Sequence, residues 1–472
     1  MRPPGARALR GASLVADART RGRADARTPG RPDARVRDGR RDGGCPTGGD
    51  GAAAVTVHGP RVAAAAAPRE GAARILRYLT AGESHGPMLL GILEGMPAGV
   101  PLRQAYVDGR LHRRQAGPGR GGRQKIERDT VEIVAGVRAG ETLGSPIGLI
   151  VRNRDWANWQ GVLGPAPEDV DPERAAAKAL HRPRPGHADL AGAIKYDRTD
   201  LRDVLERASA RETAARVAVG AICAELLLAV GVRVLGYVTA LGPVQAPPVP
   251  PDTGLDVLEQ AVDASDCRCW DPDTTAAMHG AIREATLAKD TLGGLIEVQA
   301  VGVPIGLGSF AASDRRLDGR LAGALMSIQA IKAVEVGIGL AAARLRGSQV
   351  HDEIVPGEPG DGAAPSRYRR PTNRAGGLEA GVSNGEPLLV RAAMKPIPTL
   401  LQPLRSVDMR TGEPIVAGYE RSDVTSVPAA SVVAEAVVAF VLAQALLEKF
   451  GGDSLGELRR NMEGYRARVM SR

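Results

Sequence analysis

Apolar positions fall into two kinds of run. "VEIVAGV" (131–137) and "LIEVQAVGVP" (295–304) are short, rich in β-branched residues and bounded by Gly or Pro, which predicts strands. "SARETAARVAVGAICAELLLAVG" (209–231) and "VPAASVVAEAVVAFVLAQALLEKFGG" (427–452) are long and apolar, which predicts helices. The first opens on Ser209 with Glu212 three residues later, the pattern of a capping box, and closes at Gly231. The second carries Pro428 in its first turn and glycines after its end. Its apolar run is broken by Glu435 and Gln444 and is short for a membrane span, so a buried helix is expected. The Pro-rich stretch 243–251 and "VPGEPGDGAAPSR" (355–367) read as surface excursions. No internal repeat is found.

The apolar pattern begins near "ILRYLTAG" at 75. Residues 1–74 hold Arg, Ala, Gly, Asp and Pro with few large apolar side chains, too little to offset ordering entropy, so disorder is expected there. They lack the apolar core of a secretory signal, and with Ser13 as their single Ser they make a poor transit peptide. They are either an extension or the product of a start codon set too far upstream. The chain thus divides into 1–74 and a folded body, 75–472.

Charge changes this picture in one place. The net charge of +8 looks like a pull toward nucleic acid, but residues 1–74 hold 15 Arg against 7 acids and account for all of it. The remaining 47 basic and 47 acidic residues cancel. Against that neutral background "RLHRRQAGPGRGGRQKIER" (110–128) carries seven Arg or Lys and one acid, Glu127. It could be a solvated face, a nucleic-acid footprint or a pocket for a small polyanion. Aromatics are only 3% of the chain, too few for a stacking platform, which counts against nucleic acid. The cysteines, Cys45, Cys223, Cys267 and Cys269, include one isolated C-x-C and no disulfide framework, so no metal site is expected and a reducing cytoplasm fits.

Four further stretches are candidate chemistry. "AGESHGP" (81–87) sets Ser84 and His85 among glycines that let a backbone approach a ligand closely. "RPRPGHADLAGAIKY" (182–196) presents a second His, His187, on a stiff loop. Two such loops among only seven His point to acid–base work. "ERASARETAARVA" (206–218) puts Arg207, Ala208 and Ser209 at the expected helix start, where free N–H groups favour anions. "MKPIPTL" (394–400) and "ERSDVTSVPA" (420–429) add Lys395, Thr399, Arg421 and Asp423, the first two stiffened by Pro396 and Pro398. "VGIGLAAA" (336–343) lacks the third glycine of a dinucleotide loop.

These blocks, with "SIQAIKAVEVGIG" (327–339) and "TNRAGGLEAGVSNGEP" (372–387), occur in the order found in the chorismate synthase family, which residues 75–451 resemble. The resemblance implies an α+β fold, a β-α-β sandwich of layered sheets and helices, usually homotetrameric. It makes 75–472 a catalytic domain. It also implies a reaction: 1,4-trans elimination of phosphate from 5-enolpyruvylshikimate 3-phosphate to give chorismate. The family needs reduced FMN for this, with no net redox change. NADPH is a possible source of the reducing equivalents, directly or through a separate flavin reductase.

A substrate with a phosphate and two carboxylates explains the basic stretch as a pocket wall, since Arg binds both groups bidentately. By resemblance Arg114 and Arg120 are the family's paired arginines for substrate or NADP, with Arg123 just beyond. Flavin contacts carry over to Arg207, Ala208 and Ser209, to Gln329 and Ala330, to Ala380, to Lys395, Pro396, Ile397, Pro398 and Thr399, and to Arg421. His85 resembles the acid that protonates the departing phosphate, and His187 the His near the flavin's N1 edge. Asp423, with Ser209 and Ser84, resembles the group that helps remove the C6 proton. Gln329, Ala380 and Ala333 stand where many relatives have Asn, Gly and Gly, and Ala333 is expected to tighten a helix. Two other classes compete: a nucleic-acid-binding protein and a flavin oxidoreductase with net substrate oxidation or reduction.

Overall fold

A computed structural model describes residues 76–120, 128–357, 366–418 and 423–471; the expectation for 1–74 lies outside these residues, and that for 355–367 partly does. Two antiparallel sheets enclose a helical layer. The first sheet holds β1 (Arg77–Ala81), β2 (Met88–Glu94), β3 (Val131–Ala135) and β4 (Ile147–Arg152) in the order β1-β2-β4-β3. The second holds β5 (Arg233–Leu241), β6 (Val244–Gln245), β7 (Gly294–Val301), β8 (Ile331–Val336) and β9 (Leu388–Met394) in the order β8-β9-β7-β5-β6. The helices used below are α1 (Gln104–Gln115), α2 (Asp189–Tyr196), α3 (Arg202–Ala208), α4 (Thr213–Ala229), α5 (Leu255–Ala264), α6 (Pro272–Leu287), α7 (Leu317–Met326) and α8 (Val427–Phe450).

The pleat explains how the first sheet faces inward. In β2, Leu89, Gly91 and Leu93 are buried while Leu90 and Ile92 are exposed. In β4, Ile147, Leu149 and Val151 are buried. α4 packs on β2 and β4, α8 packs on β5 and β7, and the two helices pack on each other. Both are apolar around nearly their whole circumference, as a helix covered on all sides must be. α8 is long and apolar enough to cross a membrane, yet 89% of its apolar window is buried inside the protein. The layers are close. A Cβ added at Gly220 of α4 would lie 2.4 Å from Ala436 O, and one at Gly236 of β5 would lie 2.3 Å from Ser431 O.

The helix ends follow local chemistry with one exception. α8 stops before Gly451, in the left-handed region at φ 61°, and α4 is followed by Gly231 at φ 84°. The expected capping box does not form. Ser209 caps a 3-10 turn, Ala210–Glu212, by accepting from Arg211 N at 3.3 Å, and Glu212 turns instead toward Thr80 and Arg216. Arg207 and Ala208 end α3, and the helical run that begins at Ala210 and continues into α4 opens on Ser209 as expected. Ala333 lies in β8, beside a register shift, and not in a helix.

The basic stretch also divides. Arg110 Nη1 lies 2.5 Å from Glu435 Oε1 of α8, and Arg113 pairs with Asp263 and Glu259 of α5. Glu435 also accepts from Gly236 N at 2.9 Å. These two arginines hold helices together. The opposed acids on α5 and α8 neutralise them, which the 110–128 sequence alone does not show.

Candidate active site

The loop after β1 is shaped by Gly82, at φ 106°, where a Cβ would lie 2.4 Å from Met88 O. The loop then docks on α3. Ser84 N donates to Glu206 O at 2.9 Å and His85 N donates to Glu206 Oε2 at 2.8 Å. His85 Nδ1 lies 2.9 and 3.0 Å from the two carboxylate oxygens of the same residue. The ring stacks on Trp159 with centroids 3.9 Å apart. Burial pushes the Glu206 carboxyl up, but hydrogen bonds from His85 and the charge of Arg202 outweigh it and hold it below its usual range. Ser209 Oγ donates to Ser84 Oγ at 3.1 Å, so Ser84, His85 and Ser209 form one cluster.

Arg207 lies beside this cluster and donates to Gly82 O at 3.1 Å and to Thr80 O at 2.8 Å. Thr80, Arg207, Glu212, Arg216 and Gln329 line a cleft of about 420 Å³. Gln329 Nε2 donates to Glu212 at 3.3 Å, while its Oε1 is buried without a hydrogen-bond partner. A buried amide oxygen with no donor fits a ring N–H such as an isoalloxazine carries. Glu212 is held below its usual range because Arg216, Thr80 and Gln329 outweigh its burial, so the cleft keeps a carboxylate between two cations.

Arg114 is buried against the turn before α4. Its Nε donates to Thr213 Oγ1 at 2.9 Å, its Nη2 donates to Ala210 O at 2.8 Å, and Asp129 lies 3.7 Å away. Arg211, also buried, pairs with the same Asp129 at 2.5 Å. Arg120 Nη1 lies 3.5 Å from Asp423 Oδ2. Backbone bonds tie that pair to the proline segment: Val424 N donates to Gly119 O at 2.7 Å, Leu292 N donates to Val424 O at 2.9 Å, and Thr291 Oγ1 donates to Ile397 O at 2.8 Å.

His187 builds a second cluster. Its Nδ1 lies 2.5 Å from Asp189 Oδ1 at the start of α2. Arg184 donates to Asp189 Oδ2 from Nε at 2.8 Å and to Thr399 Oγ1 from Nη1 at 3.2 Å. Burial pushes Asp189 up, yet bonds from His187 and Arg184 hold it far below the usual carboxylate range. Lys395 joins the cluster by donating from Nζ to Gly186 O at 2.6 Å, and its own N–H donates to Ala330 O at 3.0 Å. Ala330, next to Gln329, thereby ties the two clusters together. Burial, then the charge of Lys332, pulls the Lys395 ammonium below its usual value.

Among the described residues, Ala380 is carried by an element outside the clusters above. Ala380 sits at φ 49° in the tight turn between Leu378–Glu379 and Val382–Ser383, against the start of α7. Gln329 lies three residues beyond the other end of α7, whose ten residues span roughly 15 Å at helical rise. Arg123 and Arg421 lie outside the described residues. Sequence reasoning missed Glu206, Asp189, Arg184 and Arg211. Asp189 is two residues from His187 and could have been noticed, but Glu206 is 121 residues from its His. Asp266, Cys267 and His279 also bring donor atoms within 4.8 Å of one another. Burial, then the neighbouring Asp266, pushes the Cys267 thiol up to about 12.

A sequence model of the chorismate synthase family matches residues 76–447. A chorismate synthase of Symbiobacterium thermophilum is 56% identical over 400 residues, covering 84% of this chain and 100% of the relative. One from Pelobacter propionicus is 56% identical over 396 residues, covering 84% and 99%. A crystal structure of chorismate synthase superposes with a TM-score of 0.67 at 42% identity, covering 85% of this chain and 100% of the other. A reduced-flavin requirement goes with that family. By sequence and by fold the chain belongs to the chorismate synthase family.

Proposed function

We propose that the His85 and His187 clusters, with Arg114, Arg120 and Asp423, form the site of the family's reaction. That reaction is the elimination of phosphate from 5-enolpyruvylshikimate 3-phosphate to give chorismate, by a carbon–oxygen lyase at the last shared step toward the aromatic amino acids. A C–O bond breaks with its electron pair leaving on phosphate, a ring proton is lost, and a new C=C forms. Arg114 and Arg120, with Arg123, bind the phosphate and carboxylates. His85 protonates the departing phosphate oxygen, and Asp423, with Ser84 and Ser209, serves the proton lost from the ring. His187 orients the cofactor edge of the site.

Reduced FMN would be held by Arg207 to Ser209, Gln329, Ala330, Lys395 to Thr399 and Arg421, with Ala380 lying apart from this group. When bound, it supplies the electron density that an unactivated allylic C–H needs. The chain's part is to orient the groups and neutralise charge. NADPH would supply the reducing equivalents, directly or through a separate flavin reductase. The buried, unpartnered Gln329 Oε1 beside the cleft carries the flavin reading. Titration with FMN tests it. Gln329→Leu should weaken binding by about tenfold, the loss of one hydrogen bond to a buried acceptor. Unchanged binding would refute the assignment.

We place the working enzyme in the cytoplasm as a homotetramer with 75–472 as its catalytic domain. The outer face of the first sheet supports the assembly. Leu79, Leu90, Ile92 and Val134 are exposed there, rimmed by the Arg77–Glu94 and Arg152–Glu132 pairs. An apolar field with a charged rim is what a second copy covers.

A further inference from the structure

We infer that Glu206 and Asp189 are positioning residues that fix the tautomer of His85 and His187, keeping the proton on Nδ1 and making Nε2 the nitrogen each ring presents to substrate or cofactor. This rests on the reading that the two histidines act in the reaction. The same arrangement occurs twice, on unrelated loops. Each Nδ1 lies within 3.0 Å of a carboxylate oxygen, at 2.9 and 3.0 Å for His85 and at 2.5 Å for His187. Both carboxylates are buried, at 2% exposure for Glu206 and 1% for Asp189. Each is also gripped by an arginine, Arg202 on Glu206 at 3.2 Å and Arg184 on Asp189 at 2.8 and 3.0 Å.

A carboxylate held ionised in this way has no proton to donate and can only accept. The facing Nδ1 must then carry the hydrogen, and the neutral ring is left with an acceptor at Nε2. A charge-assisted bond is also roughly twice as strong as a neutral one, so it outcompetes alternatives. The rings cannot swing away. His85 is stacked on Trp159, with Arg202 on the Trp ring at 4.9 Å, and its own N–H is bonded to Glu206. His187 is the sterner case, because Arg184 Nη2 also lies 3.1 Å from Nδ1 and would favour the opposite tautomer. The shorter contact to Asp189 decides for Nδ1–H, and the guanidinium spends its other hydrogens on Asp189 and Thr399.

The consequence is functional. A His that protonates a leaving phosphate must reload with its proton on one defined nitrogen, in one orientation. Losing the carboxylate loosens both without removing the His.

The test has a structural and a kinetic arm, both on the full chain. In the first, protein labelled with 15N-histidine is studied by solid-state NMR at about pH 9, above the ordinary His pKa. Difference spectra against His85→Gln and His187→Gln assign the signals. Both rings should be Nδ1–H tautomers, and an Nε2–H tautomer at either site would overturn the proposal there. In the second, Glu206→Gln should lower kcat about 100-fold or more, the scale of acid–base catalysis, with KM and FMN binding little changed. Glu206→Asp should recover part of the loss. A Glu206→Gln enzyme within about threefold of wild type, with His85→Gln inactive, would overturn the positioning role while leaving His85 in place. Full activity of His85→Gln would overturn the underlying reading instead.

Discussion

Replacing Gly220 by Ala tests whether close helix contact sets the spacing of the layers. A Cβ at Gly220 would lie 2.4 Å from Ala436 O, 2.5 Å from Ala436 Cβ and 2.6 Å from Ala436 Cα. Ordinary carbon contacts need about 3.5–4.0 Å, so α4 and α8 would have to part by about 1 Å. No rotamer can relieve this, because the obstacle is backbone. A gap of that size forfeits up to half of the dispersion well for atoms along the seam, and overpacking costs typically about 1–3 kcal/mol. Ala gains about 1 kcal/mol of helix propensity over Gly. The crowded contact should win, for a net loss of about 1 kcal/mol. Gly280 in α6 supplies the control, since a Cβ there meets nothing within 4 Å. Gly280→Ala should stabilise by up to about 1 kcal/mol. Urea unfolding at one fixed protein concentration measures both. Equal, positive shifts for the two substitutions would refute the argument that the α4–α8 contact is tight.

Three further outcomes are expected. Glu435→Gln removes one charged partner from two buried arginines, Arg110 at 2.5 Å and Arg268 at 3.8 Å, so urea unfolding should show a loss of about 3 kcal/mol; a near-neutral result would mean that Glu259 and Asp263, at 3.8 and 3.2 Å, suffice for those arginines. Ala380→Val places a β-branched residue at φ 49° and should cost about 1–3 kcal/mol in the same assay, whereas Ala380→Gly should be close to neutral. Asp189, Glu206 and Glu212 all titrate below their ordinary values, so each stabilises the fold above the unfolded carboxylate pKa of about 4. That contribution is lost as pH falls through the lower folded values, and acid unfolding monitored by circular dichroism should shift to higher pH in Asp189→Asn.

Local signals carried well where a segment's own chemistry decides its structure. Pro428 and the glycines at 451 and 452 bracket α8 as expected, and the all-apolar run correctly implies burial. They failed where a distant partner decides. Glu212 sits three residues after Ser209, as a capping box requires, but Thr80 and Arg216 claim its carboxylate. Arg110, Arg113 and Arg114 share one basic stretch, yet acids on α5 and α8 take the first two and the turn before α4 takes the third. Nothing within 110–128 distinguishes them. The same holds for the sheet orders and for Glu206, whose meaning depends on a loop folded back from the other side of the sequence.

The most direct measurement is anaerobic turnover of 5-enolpyruvylshikimate 3-phosphate, followed by chorismate absorbance, with chemically reduced FMN and no NADPH. The full chain and a chain starting at residue 75 would be run in parallel. The account expects chorismate from both, with FMN catalytic rather than consumed. Absence of turnover by folded, FMN-binding protein would contradict the roles given to His85, His187 and Asp423.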